Sequence, residues 1–175
     1  MTAQTMDAPT FDAWLAGTTE REVWLVLARK GHPGLTAAEA LDIALCHGWI
    51  DSHRRRHDNR HFLQRYSPRR PGSPWSQVNV QRAESLEAAG RMRTGGDAEI
   101  AAARTDGRWS AAYPRQSDAE IPPALTDALA ADPRAAATFG AMSRSSRYAI
   151  MLPLFKARTD KTRATALTRI LRSLT

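Results

Sequence analysis

The sequence predicts an α+β fold in which a small three-stranded antiparallel sheet, in β-α-β-β order, precedes a helical C-terminal half. The apolar run over residues 22–28 and the two alternating segments at 49–56 and 61–66 predict the strands. From residue 77 onwards, capping residues are followed by helical spacing of apolar side chains, and no further strand pattern occurs. A chain of 175 residues is long enough to bury a core without disulfides.

The N-terminal part is predicted to begin with a leader over residues 1–19 that becomes a short helix around residues 11–16. A second helix is predicted over residues 37–47, after the first strand. Thr36 and Glu39 have the spacing of a capping box, and Gly48 stands where a glycine in a left-handed conformation ends a helix.

The next two strands form a predicted hairpin around the turn at Asp58 and Asn59. A two-residue turn there pairs Asp51 with Tyr66 and Arg55 with Phe62. Strand alternation then places Asp51, Arg55, Phe62 and Tyr66 on one face of the sheet, together with Trp49, His53 and Gln64.

The C-terminal half is predicted to be helical throughout. Helices are expected at residues 77–89, 94–105, 122–131, from Asp132 to about Gly140, from Ser143 to about Lys156, and from a cap at Asp160 nearly to the end. This pattern predicts an α+β part over residues 1–93 and a helical part over residues 94–175, packed together as one compact unit.

Charge is distributed in alternating blocks along a chain whose formal net charge is +7. Residues 51–93 carry 10 arginines against 4 acidic residues, and residues 142–175 carry 8 basic residues against 1 acidic residue. Such blocks attract phosphates, nucleic acids or carboxylate ligands, although solvated surface arginines give the same pattern.

Several classes of protein are not expected from this composition. The single cysteine, Cys46, excludes an internal disulfide, and no apolar run approaches the length of a membrane span. The N-terminus lacks a secretory signal pattern, so a cytoplasmic protein is expected. His53, His57 and His61 lie among arginines that would repel a divalent cation, so no metal or other cofactor is expected.

Candidate functional residues concentrate in two pieces of the first basic block, and we expect these pieces to meet. The strand start carries Asp51, which suits either an arginine partner or a catalytic base. The proline-rich loop before Trp75 presents Arg69 and Arg70 for an anion, and the tryptophan ring for a planar ligand. The full candidate set is Trp49, Asp51, Tyr66, Arg69, Arg70, Ser73, Trp75, Ser76, Asn79 and Arg91.

Five short motifs occur in a characteristic order: ALCHGWID at 44–51, YSPRRPGSPWSQVN at 66–79, GRM at 90–92, DGRW at 106–109 and KARTDKTR at 156–163. In this order they resemble the YdeI/OmpD-associated family, also called bacteriocin-protection proteins, from about Trp14 to the C-terminus. The resemblance implies a cytoplasmic α+β protein linked to stress or to resistance against antimicrobial peptides. The chain departs from the family pattern at His47, at residues 52–54 and at Pro74.

Three functions are compatible with these observations. The first is binding of an anionic or planar small molecule at the Trp/Arg/Asp site, in a role connected with antimicrobial resistance. The second is nucleic-acid binding through the basic blocks, and the third is a metal-independent enzyme with Asp51 as general acid or base. Neither the ligand nor the oligomeric state follows from the sequence.

Overall fold

A computed structural model describes residues 2–175 and shows an α+β protein with one sheet and a series of helices. The strands are β1 (Ala3–Gln4), β2 (Val23–Ala28), β3 (Trp49–Arg56) and β4 (His61–Pro68). The helices are α1 (Ala8–Gly17), α2 (Ala37–Cys46), α3 (Gln77–Ala88), α4 (Thr94–Thr105), α5 (Pro123–Ala131), α6 (Pro133–Ala141), α7 (Arg144–Lys156) and α8 (Asp160–Leu174).

The sheet has four strands in the order β1-β2-β4-β3, so the prediction of three antiparallel strands is wrong in number and direction. Strand β1 pairs in parallel with β2 and lies within the predicted leader, whose Met1 is outside the described residues. Two residues are too few for an alternating pattern, which is why the sequence gives no sign of this strand. The two other pairs, β2 with β4 and β3 with β4, are antiparallel as predicted.

The local signals of α2 are confirmed in detail. The Thr36 side chain accepts a hydrogen bond from the backbone of Glu39, and the Glu39 carboxylate accepts one from the backbone of Thr36. Gly48 has a φ of 76°, which favours glycine and turns the chain from α2 into β3. At α8 the cap is Thr159 and not Asp160, because the Thr159 hydroxyl accepts from the Thr162 backbone.

The β3–β4 register contains an irregularity that the two-residue hairpin pattern does not predict. Asp51 pairs with Tyr66 as expected, but Arg55 pairs with Leu63, one residue away from the predicted partner Phe62. The shift occurs between Asp51 and Arg54, and a bulge of this kind moves the following side chains to the opposite face.

The chain divides into two compact units, each with its own apolar core. The first unit comprises residues 1–75 and 79–111, and its core lies between the sheet and the helices α1 and α2. The second comprises residues 76–78 and 112–175, with a core built by helices α5 to α8. Helix α4 belongs to the first unit, and the predicted division at residues 93 and 94 stays a prediction.

Candidate functional site

Two of the predicted site residues, Trp49 and Tyr66, lie in the core of the first unit. The ring of Trp49 meets that of Trp14 edge to face, with centroids 5.7 Å apart. Tyr66 packs against Phe11 with centroids 5.6 Å apart. Both side chains are almost completely buried, so their rings are used for packing within the core.

Asp51 is half-buried and lies opposite Tyr66 in the β3–β4 ladder. Burial raises the pKa of the Asp51 carboxyl above its ordinary value, while the positive charges of Arg54 and Arg69 act in the opposite direction. Burial, and then the negative charge of Asp51, raise the pKa of the Tyr66 hydroxyl. A raised carboxyl pKa suits proton transfer, and the catalytic role of Asp51 stays a prediction.

The loop after β4 brings the second predicted piece against the first. The backbone N–H of Arg69 donates to the Gly48 carbonyl at 2.9 Å, directly ahead of Trp49. The Arg69 guanidinium lies over the Trp75 ring at 3.8 Å, and its Nη2 donates to the Pro74 carbonyl at 2.8 Å. The two pieces therefore meet in space, and their charged groups contact other parts of the protein.

Glu99, on α4, completes a buried ionic group that includes Arg69. One Glu99 carboxylate oxygen lies 2.6 Å from Nη1 of Arg108 and 3.4 Å from Nε of Arg69. Nε of Arg108 also lies 2.7 Å from Asp106, and its Nη1 donates to the Ser73 carbonyl at 3.1 Å. Each of the two arginine side chains is only 2% exposed.

We call Arg69, Trp75, Glu99, Arg108 and Trp109 the Arg–Trp cluster. The two tryptophan rings lie 4.9 Å apart, between centroids. Burial acts to lower the pKa of Arg108, but its hydrogen bonds to Glu99 and Asp106 outweigh burial and raise it. The cluster therefore fixes the loop against α4 and engages both buried guanidinium groups with protein.

The DGRW motif at 106–109 contained part of the signal for this cluster, since it includes Arg108 and Trp109. The sequence does not predict the role of Glu99, because a glutamate in a helical segment is usually a solvated side chain. Only the packing of α4 shows that it lies between two arginines.

The remaining candidates differ in their exposure. Arg70 and Arg91 are exposed, whereas Ser73, Ser76 and Asn79 are half-buried. Arg91 lines a cleft of about 340 Å³ beside Asp12, Cys46 and Arg93. Among five cavities on residues 2–175, none is lined by the Arg–Trp cluster.

One of those cavities, of about 380 Å³, is surrounded by positive charge at the hairpin end of the sheet. We call it the cationic cleft, and it is lined by Arg29, Lys30, Arg54, Arg55, Arg56 and Phe62. Two of these residues follow β2 directly, and three are consecutive on β3. Because β3 is at the edge of the sheet, one row of its backbone N–H groups has no strand partner in the four-stranded sheet.

The bulge in β3 orients the arginines of the cationic cleft. The buried amide of Gln64 donates to the carbonyls of Ser52 and His53, at 3.2 and 3.3 Å, and thereby stabilises the irregular backbone. Its oxygen accepts from Nε of Arg54 at 3.0 Å. The Arg54 guanidinium then lies over the Phe62 ring at 4.2 Å, on the face where an uninterrupted strand would have placed Arg55.

No carboxylate lines the cationic cleft. Within residues 2–175, Arg29, Lys30, Arg54 and Arg56 form no ion pair with an acidic side chain. Arg56 donates instead to the neutral Asn59 side chain at 3.3 Å. Like charges around one cleft repel one another, and an anion among them relieves that repulsion.

The described residues contain no group of three or more histidine, cysteine, aspartate or glutamate side chains arranged to hold a metal ion. No helix among residues 2–175 is both long and apolar enough to span a bilayer.

Two family models match separate parts of the chain. Residues 3–99 match a domain of unknown function (DUF8412), and residues 118–175 match the family described as Bacteriocin-protection, YdeI or OmpD-Associated. The predicted resemblance to the second family is confirmed over residues 118–175, a stretch that contains the KARTDKTR motif, but its extension towards Trp14 is not. No curated protein and no solved structure matches the chain.

Proposed function

The chain belongs to the family described as a domain of unknown function (DUF8412), whose model matches residues 3–99, and we propose that this part binds a phosphate-bearing ligand at the cationic cleft. All residues of the cleft lie within the matched part. The observation that carries the proposal is the gathering of five cationic residues around one cleft that no carboxylate lines.

Arginine is well suited to this role, because its planar guanidinium offers paired donors to the oxygens of one phosphate. Arg54 is held in place, since its guanidinium lies over the Phe62 ring at 4.2 Å. Side chains that are already ordered lose less conformational entropy when the ligand arrives. The outward N–H groups of the edge strand supply further donors.

This proposal keeps the expected anionic ligand and moves it from the Trp/Arg/Asp site to the sheet edge. Arg69 and Trp75 support the proposal less well than the cleft, because both are buried and already engaged with each other. Nucleotides and nucleic acids share the phosphate chemistry, and the binding experiment separates them.

The experiment measures binding of ATP and of a twelve-nucleotide single-stranded DNA by calorimetry at 50 mM salt. The test variant is Lys30→Gln/Arg56→Gln, because neither side chain stacks on a core aromatic ring. We expect this variant to bind at least tenfold more weakly than the wild type. Arg21→Gln is the matched control, since Arg21 is exposed and lies at the opposite end of β2.

The dependence on salt identifies the source of the phosphates. If nucleic acid is the ligand, the DNA binds more tightly than ATP, and loss of two phosphate contacts reduces the slope of log K against log salt by about 1.4. If ATP binds as tightly as DNA, the ligand is a small molecule. The proposal fails if neither binds, or if the double variant binds as tightly as Arg21→Gln.

The proposal also includes a role in protection against bacteriocins, which rests on the description of the family that residues 118–175 match. A bacteriocin-sensitive strain that produces the wild-type chain should survive exposure better than one producing Lys30→Gln/Arg56→Gln at the same level. Equal survival of the two strains would show that protection does not depend on the cationic cleft.

A further inference from the structure

A second cavity, of about 760 Å³, lies along helices α7 and α8 in the second unit and is separate from the cationic cleft. The two helices are joined by only three residues, 157–159, so they run antiparallel beside each other. On α8 the cavity is lined at a helical spacing by Thr162, Ala166, Arg169 and Ser173. We call this cavity the α7–α8 groove.

The floor of the groove is apolar. Ile150 and Pro153 contribute from α7, and Ala166 and Ile170 contribute from α8. The volume lies within the usual range for small-molecule sites, roughly 300–1,000 Å³, whose walls are mainly apolar with a few polar groups.

The border of the groove is cationic. Lys156, Arg158, Lys161 and Arg169 line it, whereas no acidic side chain does. Between residues 142 and 175 the sequence has one acidic residue, Asp160, and its carboxylate is bound by Arg163 at 2.9 Å.

The charges are unevenly placed along the groove. Lys156, Arg158 and Lys161 lie at the turn between the helices, and the apolar floor continues towards Ser173 with Arg169 as the one cation beside it. The distance along α8 from Lys161 to Ser173 is about 18 Å at the usual rise per residue. One end therefore suits an acidic head group, and the remainder suits a hydrocarbon chain of similar length.

We propose that the α7–α8 groove binds a small amphiphilic anion of the fatty-acid type, with its chain on the apolar floor and its carboxylate between Lys156 and Lys161. Charge complementarity and the separation of cationic and apolar ends favour this occupant. Binding would use both ends, because each buried methylene raises affinity about fourfold and the cations select a negative head group.

Calorimetric titration with dodecanoate, below its micelle concentration, tests the proposal on the full chain. Dodecanol has the same chain without charge, and acetate has the same charge without a chain. We expect dodecanol to bind at least tenfold more weakly than dodecanoate, and acetate to give no measurable heat. Absence of dodecanoate binding, or equal affinity for dodecanoate and dodecanol, would overturn the proposal.

Two charge-reversed variants locate the site. Lys161→Glu, at the head-group end, should weaken dodecanoate binding at least fivefold, whereas Arg169→Glu, about 12 Å further along α8, should weaken it less. Circular dichroism should show an unchanged helix content for both. Arg172→Glu is the matched control, because Arg172 is exposed on the same helix and does not line the groove. If either groove variant is unfolded, Lys161→Gln replaces it. Equal affinity of the folded groove variants and the control would contradict the assignment.

Discussion

Two buried arginines of the first unit depend on the same carboxylate. Glu99 lies between Arg69 and Arg108, and both guanidinium groups are almost completely removed from water. Taking a charge out of water costs several kcal/mol per ion, and a close opposite charge is needed to offset that cost. Glu99 is therefore the residue whose loss would leave the most uncompensated charge.

Replacing Glu99 with glutamine keeps the shape of the side chain and removes its charge. We expect Glu99→Gln to lower the free energy of unfolding by about 3 kcal/mol, measured by urea denaturation. Glu87→Gln is the control, because the Glu87–Arg104 ion pair has side chains 36% and 46% exposed and should contribute less than about 1 kcal/mol. Equal effects of the two variants would show that burial does not govern the role of Glu99.

The sequence indicates Arg69 as a functional candidate but gives no sign that Glu99 is its partner. Arg69 is a candidate because it stands in a stiff loop beside Trp75. An arginine in a loop is usually exposed, which is why the sequence predicts that Arg69 contacts a ligand. Its burial depends on Glu99 and Arg108, which are separated from it by 30 or more residues, and such partners are not visible to local pattern.

At the scale of elements, the end of α2 approaches the start of α4 at backbone distance. A Cβ added to Gly96 would lie 2.2 Å from the Cys46 carbonyl oxygen, and one added to Gly95 would lie 2.5 Å from that of His47. The backbone N–H of Arg93 also donates to the Cys46 carbonyl at 3.0 Å. This contact positions α4, and with it Glu99.

A methyl group at this contact should separate the two helices. We expect Gly96→Ala to destabilise the protein by roughly 1–3 kcal/mol through overpacking, measured as the shift in denaturation midpoint. Gly140→Ala is the control, because Gly140 lies in α6 and no atom outside its own helix backbone and chain neighbours lies within 4 Å of its added Cβ. Alanine is preferred over glycine in a helix, so this control should be stabilised by about 0.5–1 kcal/mol. Stabilisation of both variants would refute the close approach.

The bounds of β3 follow from the local sequence, whereas its register does not. The predicted bounds at residues 49–56 are confirmed. They can be predicted because Gly48 and the Asp58–Asn59 turn mark the two ends of the strand locally. Its register beyond Asp51 was wrong by one residue, because the bulge is held by Gln64 of the neighbouring strand. That one residue decides which arginine lies over Phe62 in the cationic cleft.

At the scale of the whole molecule, the two units have distinct cores and distinct candidate sites. Phe139 is in the core of the second unit, where α5 to α8 supply the surrounding apolar side chains. The first unit instead packs α1 and α2 on the sheet. Each core is contiguous, so each unit should have its own local stability.

Truncating Phe139 tests this division. We expect Phe139→Ala to cost about 3–5 kcal/mol and to accelerate amide hydrogen exchange in α5 to α8 more than in β2 and β4. Ile121→Ala is the control, since Ile121 is 41% exposed and its loss should change stability by less than about 0.5 kcal/mol. A uniform change of exchange throughout the chain would show that the two cores unfold together.

The sequence by itself determined the α+β class, the order of the helices, the capping of α2 and the two blocks of positive charge. These features depend on contacts within a few residues of the chain, or on composition alone. The tertiary structure decided the fourth strand, the bulge in β3, the burial of Arg69 and the gathering of cations into one cleft. Those features depend on partners brought together from distant parts of the chain, and local periodicity does not encode which distant residues pack against each other.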